Sequence, residues 1–425
     1  MRPSASVRSS NSARGYQSPS SGLLRRHKPD YVLLVLCAVL LVVGLITIYA
    51  ISPGLAASNN VSASYYVIKQ LIAIAIGVVG FILVAYLPLN IWGKYLKYLV
   101  GISLVSALAV RFVGQRVNGA YRWIQIGGFS FQAVELIKFT VLIWLAAFLA
   151  RRVMEGSIRN TRQTLKPLLI VLIVVGVVVA GLESDLGSTG VIVVMMAVMC
   201  FVAGLPLKKV AIIGGIVAIG LILAIGSSSY RRERLLTFLH PAQNCQTTGT
   251  GYQACQAMIA VGSGGLFGKG LAKGVQDYGY LPETYNDSIF AVYAEQFGFV
   301  GSAILLGIFL ALFRRIKNIM ERAPDQFSRF VVAGVLAWLG AQTLINIGAM
   351  IGLLPLKGIT LPLISYGGTS IVFVMVAIGL VFNISYYTNT RLIESDEQAR
   401  GYSDENTAMR GRHRRAYYAH LGNRA

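Results

Sequence analysis

Long apolar runs separated by polar breaks dominate this chain. A helix needs roughly 20 apolar residues to cross the hydrocarbon core of a bilayer. Ten runs meet that length: 31–51, 66–87, 95–113, 133–150, 166–183, 187–205, 208–226, 287–313, 329–352 and 362–387. The pattern predicts an all-α polytopic membrane protein with ten transmembrane helices. A large loop, 227–286, separates the seventh helix from the eighth.

Composition supports that class. The 425 residues are 55% hydrophobic and 13% charged, too little polar surface for a soluble domain. The net charge of +21 comes from 38 basic against 17 acidic residues. A basic chain can bind nucleic acid, but here the basic residues fall in tails and short loops. That placement reads as topology and contact with anionic headgroups, with no nucleic-acid partner. "RRHK" before the first helix, "RRVMEGSIRNTRQTLK" (151–166), "LKK" (207–209) and "RRIKNIMERAPDQFSR" (314–329) share one side with both tails. By the positive-inside rule that side is the cytoplasm, which makes this a multi-pass membrane protein with both termini cytoplasmic.

The organisation that follows has three parts. Residues 1–29 form a disordered basic cytoplasmic tail, 30–388 the membrane domain, and 389–425 a second basic cytoplasmic tail. The first apolar run is too long for a signal-peptide core. On the outer side, 52–65 has no Lys or Arg, whereas 114–132 and 227–286 carry Arg122, Arg231, Arg234, Lys269 and Lys273 among others. Such charges are either solvated or turned to an anionic ligand outside the membrane.

The scarce acids are the candidate chemistry. "YLPETYNDSIFAVYAEQFG" (280–298) holds Glu283, Asp287 and Glu295 where a loop meets an apolar run. Partial burial there would raise the pKa of Asp287 toward neutrality, as a general base needs. The plainer reading makes Asp287 a helix N-cap. Glu283 suits orienting the loop, and Glu295 either faces a polar cavity or pairs with a cation. Glu135 and Lys138 share a helix face in "ELIK", as a structural ion pair or as a pair lining a cavity. "GLESDLGSTG" (181–190) puts Glu183 and Asp185 beside a break, where Asp185 can cap the next helix. "VGSGGLFGKG" (261–270) fails the phosphate-loop spacing and reads as a glycine-bent segment whose amides and Lys269 could hold an anion. The four histidines are scattered, and no motif builds a protein metal cage.

Cys245 and Cys255 share the large outer loop, an oxidising setting, and would close a short ring as a disulfide. Such a ring is worth roughly 2–3 kcal/mol in the chain-entropy model.

"NGAYRWIQIG" (118–127), "ELIK" (135–138), "DLGST" (185–189), "GYQACQAMIAVGSGGLFGKG" (251–270), "LPETYNDSIFAVYAEQFG" (281–298) and "GLLPLKGITLPLISYGGTS" (352–370) together resemble the SEDS family, the FtsW/RodA peptidoglycan polymerases. The likeness covers about 30–388 and leans to the division, FtsW-like branch. Departures from the family pattern surround the acids: "QAVE" for Gln-Pro-Ser before the Glu, "ESDLG" for "QPDLG", Asn286 and Ser288 around the aspartate, and Lys357 for Thr.

The resemblance implies a SEDS fold and polymerisation of lipid II at the outer membrane face, at the division septum. The acceptor hydroxyl attacks the donor sugar and undecaprenyl pyrophosphate leaves. It implies Asp287 as the catalytic base. Arg122, Trp123, Glu135, Lys138, Asp185, Lys269, Glu283, Lys357 and Ser365 would contact substrate, the cations serving pyrophosphate. A divalent cation such as Mg²⁺ fits a carboxylate–pyrophosphate site, held largely through substrate and water. A class B penicillin-binding protein and other divisome proteins are the implied partners. The competing readings are a RodA-like elongation polymerase and a lipid II flippase or transporter.

Overall fold

The computed structural model describes residues 28–117, 120–126, 129–226, 229–239, 245, 250–276 and 279–388. The predicted tails lie outside these residues, apart from Lys28 and Pro29. The apolar runs form helices because a bilayer core offers no water to unpaired backbone groups. In chain order they are α1 (Tyr31–Asn59), α2 (Tyr65–Tyr86), the short α3 (Asn90–Lys94), α4 (Leu96–Val113), α5 (Ala133–Met154) and α6 (Thr161–Leu182). Then follow α7 (Leu186–Val202), α8 (Leu207–Gly226), α9 (Ser229–Leu239), α10 (Thr250–Ser263), α11 (Ile289–Glu321), α12 (Gln326–Met350) and α13 (Gly368–Ser385).

Each of the ten predicted runs overlaps a helix. Eight helices (α1, α2, α4, α5, α6, α11, α12 and α13) are long and apolar enough to cross a membrane by length and composition. Of the other two, α7 is apolar but has 17 residues, and α8 has 20. The most apolar windows of α5, α12 and α13 are 78% buried, against 22% for α2 and 17% for α4. The first three are therefore the central helices, and Trp338, Phe330, Leu142 and Leu145 pack in their core.

Boundaries differ from the apolar runs where polar chemistry intervenes. The last run begins at 362, but α13 starts at Gly368, because residues 361–367 turn through Leu363 at φ +64°. The eighth run spans 287–313, but α11 extends from Ile289 to Glu321 and takes in "RRIKNIME". The stretch 114–132 is a small antiparallel sheet in the order β1 (Gln115–Val117), β2 (Ala120–Ile126), β3 (Phe129–Gln132), with Trp123 paired to Gln132. The large loop contains α9 and α10.

The glycine-bent segment has a structural task. Gly298 breaks α11 at φ +67°, and a Cβ there would lie 2.7 Å from the Leu266 carbonyl oxygen. The freed backbone groups are paired by the segment after α10. Lys269 N and Gly270 N donate to the carbonyls of Glu295 and Gln296 at 3.0 Å each. Phe299 N and Val300 N donate to Gly265 O and Leu266 O at 2.9 and 3.0 Å. The glycines thus mend a broken helix, which answers the backbone cost of the kink.

Candidate active site

Residues 282–288 form a tight turn at one end of the bundle, entered through Glu283 at φ +53°. Three successive carbonyls of this turn are held by three different groups. Tyr366 N donates to Tyr285 O (2.8 Å), Ser365 Oγ to Asn286 O (2.7 Å) and Asn346 Nδ2 to Asp287 O (2.7 Å). Asn346 Nδ2 also donates to Ile359 O (2.6 Å), tying the turn to the loop before α13. The Asp287 side chain does not cap α11, whose N-cap is Ser288 with no side-chain capping bond. It lines instead a cavity of about 260 Å³.

Arg122, from β2, meets Asp287 across Gly358. A Cβ at Gly358 would lie 3.1 Å from Asp287 Oδ2 and 3.7 Å from Arg122 Nη1, and its φ of +66° also calls for glycine. The same guanidinium donates from Nη2 to Ser184 O (2.8 Å) and from Nε to Glu183 O (3.4 Å). Arg122 is therefore tied to the turn before α7 and lies across Gly358 from Asp287. Trp123, Glu283, Glu135 and Lys138 also line the cavity. Lys138 Nζ bonds Glu135 Oε1 at 2.8 Å and Gln342 Oε1 at 3.4 Å, and Gln342 donates onward to Thr360. So Glu135 and Lys138 are both an ion pair and part of the wall.

Burial, followed by the nearby Glu283 charge, pushes the Asp287 carboxyl up to about 7, against the pull of Arg122 and Arg234. Burial and then Asp185 push Glu183 up to about 8, with Arg122 opposing. Asp185 caps α7: Oδ1 accepts from Ser188 N (3.0 Å) and Oδ2 from Ser188 Oγ (2.8 Å). Ser188 in turn lines the cavity. Beside it gather Lys357 from the loop before α13 and Arg231 and Arg234 from α9. Burial lowers the Lys357 pKa, and the charges of Arg234 and Arg231 lower it further. Cations crowded this way favour an anion between them. Among the described residues no three His, Cys, Asp or Glu side chains converge as a metal site. A Mg²⁺ here would have to be held by substrate oxygens and water.

A family model described as "Cell cycle protein", FTSW_RODA_SPOVE, matches residues 31–390. The chain belongs to this family. A relative from Coxiella burnetii, named probable peptidoglycan glycosyltransferase FtsW, is 38% identical over 361 residues, covering 84% of this chain and 96% of that protein. Stage V sporulation protein E of Bacillus subtilis is 35% identical over 86% of this chain and 99% of that protein. Among solved structures, a chain of a peptidoglycan synthase complex that coordinates polymerization and crosslinking superposes with a TM-score of 0.69 at 28% identity. It spans 84% of this chain and 97% of that one. The rod shape determining protein RodA of Thermus thermophilus gives 0.62 at 27% identity, over 85% and 98%. The architecture is thus the all-α SEDS fold of a multi-pass membrane protein.

Within this FtsW/RodA/SpoVE member, Lys357 stands off the cavity wall, and three further residues expected to contact substrate are committed elsewhere: Asp185 spends both carboxyl oxygens on capping α7, and Lys269 and Ser365 have partners of their own. Lys269 Nζ bonds Glu295 Oε1 at 2.8 Å and does not line the cavity. Ser365 is buried, accepts from Leu361 N (2.7 Å) and holds the Asn286 carbonyl, so it positions the turn. Cys245 and Cys255 are disulfide-bonded, with Cα atoms 5.4 Å apart. Sequence reasoning missed Lys69, Tyr285, Tyr366 and Gln342 on the cavity wall and the orphaned carboxyl of Glu183. The replacement of the family's Gln by Glu183 was the available signal for the last of these.

Proposed function

We propose that this family member is a peptidoglycan glycosyltransferase that polymerises lipid II at the outer face of the cytoplasmic membrane, for septal synthesis in division. The observation that carries the reading is the meeting of Asp287 and Arg122 over Gly358 inside a polar cavity. In the reaction the acceptor sugar's 4-hydroxyl attacks C1 of the donor sugar. The C1–O bond to undecaprenyl pyrophosphate breaks, and the hydroxyl proton passes to the Asp287 carboxylate. A base with a pKa of about 7 is matched to that task near neutral pH. Arg122, with Arg231, Arg234 and Lys357 nearby, meets the charge gathering on the leaving pyrophosphate. Trp123, Tyr285 and Tyr366 give the cavity aromatic faces suited to sugar rings.

Both tails lie in the cytoplasm in this reading, and a class B penicillin-binding protein supplies crosslinking alongside other divisome proteins. The outer part of α11 supports a helical partner: Phe299, Ile304 and Leu310 expose 68%, 59% and 66% of their surface. The small residues of "FGFVGSAILLG" (297–307) would allow close approach of a partner helix, but at Gly301 Tyr293 Oη donates to the carbonyl and Phe297 packs alongside. The clustering of the acids at one end of the bundle favours surface chemistry over transport, since a flippase needs polar groups through the bilayer depth. The test supplies lipid II to the purified protein with its partner in detergent. Glycan strands are expected, and their absence with a folded complex would sink the proposal.

A further inference from the structure

Glu183 has no place in the reaction described above, and its surroundings are unusual. Its side chain is 1% exposed, and neither carboxyl oxygen has a hydrogen-bond partner among the described residues. A buried carboxylate without partners is costly, whereas the uncharged acid is tolerated far better. The backbone around it is firmly set. Glu183 N donates to Val178 O (3.2 Å), Ser184 sits at φ +54°, and Asp185 caps α7. The carbonyls of Glu183 and Ser184 are the two anchors of Arg122. The charged groups facing Glu183 are Asp185 on its own turn, Arg122 from β2 and Glu135 from α5. Arg231 of α9 bonds Ala180 O on the preceding turn at 2.8 Å.

We propose that Glu183 is a positioning residue for the transfer reaction. As an uncharged acid it leaves Arg122 on the two carbonyls of its own turn, across Gly358 from Asp287; as a carboxylate it would draw the guanidinium toward itself. Two things follow from ionisation. Arg122 gains a second negative partner that competes with Asp287 and the pyrophosphate. A further negative charge also appears beside Asp185 and Glu135, close to where an anionic leaving group must form. Both weaken the transition state and leave the fold in place.

This role rests on Asp287 and Arg122 being the reacting centre, and it gives that centre a window of pH. Asp287 must have lost its proton, which happens as pH rises through about 7. Glu183 must still hold its proton, which it does until pH passes about 8. Polymerisation should therefore rise and then fall, with an acid limb owned by Asp287 and an alkaline limb owned by Glu183.

The experiment is the pH profile of kcat/KM on lipid II for the purified protein with its partner, as wild type and as Glu183→Gln. Gln keeps the size of the uncharged acid and cannot ionise. Wild type should lose about tenfold in rate per pH unit on the alkaline limb. The Gln variant should keep the acid limb and show the alkaline limb abolished or displaced upward by about one pH unit or more. An unchanged alkaline limb overturns the proposal. So does a folded Gln variant that is inactive at every pH, since an uncharged side chain is supposed to suffice. Infrared difference spectra of the wild type between pH 7 and pH 9 give a readout independent of turnover and of the fate of the variant. Asp287 gives up its remaining proton in the same range, so the band owned by Glu183 is the part that disappears in wild type and in Asp287→Asn and is missing in Glu183→Gln. Its absence from the wild type overturns the proposal as well. Failure of the centre itself looks different: Asp287→Asn would remain fully active while the infrared band still titrates.

Discussion

Asp287 and Glu295 are close in sequence, and their carboxylates live in opposite circumstances. Glu295 is 1% exposed and saturated: Oε1 accepts from Lys269 Nζ (2.8 Å), Val275 N (3.0 Å) and Ser263 Oγ (3.3 Å), and Oε2 from Gln276 N (3.2 Å). Asp287 is half-buried, with its backbone pinned and its side chain open to a cavity, between Arg122 on one side and the acids Glu283 and Asp185 on the other. A carboxylate whose lone pairs are all engaged by the protein has nothing left to offer a substrate, and it orders the fold. One held by its backbone and kept short of side-chain partners is poised to exchange a proton. Structure therefore falls to Glu295 and chemistry to Asp287, and each assignment can be broken.

The largest expected effect is at Asp287. Asp287→Asn preserves size and leaves the three backbone anchors of the turn untouched, and no helix cap is lost because none exists. Loss of a general base costs about 10²–10⁴-fold in rate. Lipid II polymerisation by the variant with its partner should fall by that much while the complex still assembles. Turnover within a few-fold of wild type would move the chemistry to another carboxylate, with Glu283 next to examine.

Glu295→Ala should do the reverse. It strands Lys269 and the amides of Val275 and Gln276, and it unties the segment that mends the α11 kink. Breaking a buried pair costs about 3–5 kcal/mol. Because Lys269 keeps 32% of its side-chain surface in contact with solvent, about 2–3 kcal/mol is the better expectation. The thermal midpoint in detergent should drop clearly, while rate at a permissive temperature stays within a few-fold of wild type. A rate loss as severe as that of Asp287→Asn, at unchanged midpoint, would erase the distinction between the two acids.

The sequence exposed this contrast only in part. The helices are legible because a bilayer leaves an apolar run little alternative to a helix, and Asp287 is legible because an acid at the end of such a run is expensive. What the sequence withholds is distance. Lys269 and Glu295 are far enough apart in the chain that nothing predicts their bond, so Lys269 reads as free for pyrophosphate. Gln342 and Asn346 look like incidental polar residues on α12 until packing places one against Lys138 and Thr360 and the other under Asp287. The strands at 115–132 escape because they are short, at three, seven and four residues, with no long alternation to reveal them. Ser365 carries a familiar motif, yet its hydroxyl serves the backbone of the turn and not the cavity.

The smallest effect sharpens the comparison from the side of stability. A carboxyl raised from its ordinary 3.8 to about 7 holds its proton in the folded protein over a range where the unfolded chain has lost it. Stability from this group is complete below about 4 and drains away as pH rises to about 7, after which the loss is constant. Asp287 therefore weakens the folded protein at the pH where it works, and Asp287→Asn removes that penalty. A rise of that size corresponds in full to about 4 kcal/mol, but a side chain that reaches a cavity is partly screened, and about 1–2 kcal/mol is expected. The variant should melt above wild type at pH 8, with the gap shrinking at pH 5. Glu295→Gln should show no such gain at either pH, because it breaks the bond to Lys269 and weakens those to the amides of Val275 and Gln276. A gap at Asp287 that is absent, or that widens toward acid pH, would mean its carboxylate is as well satisfied as that of Glu295.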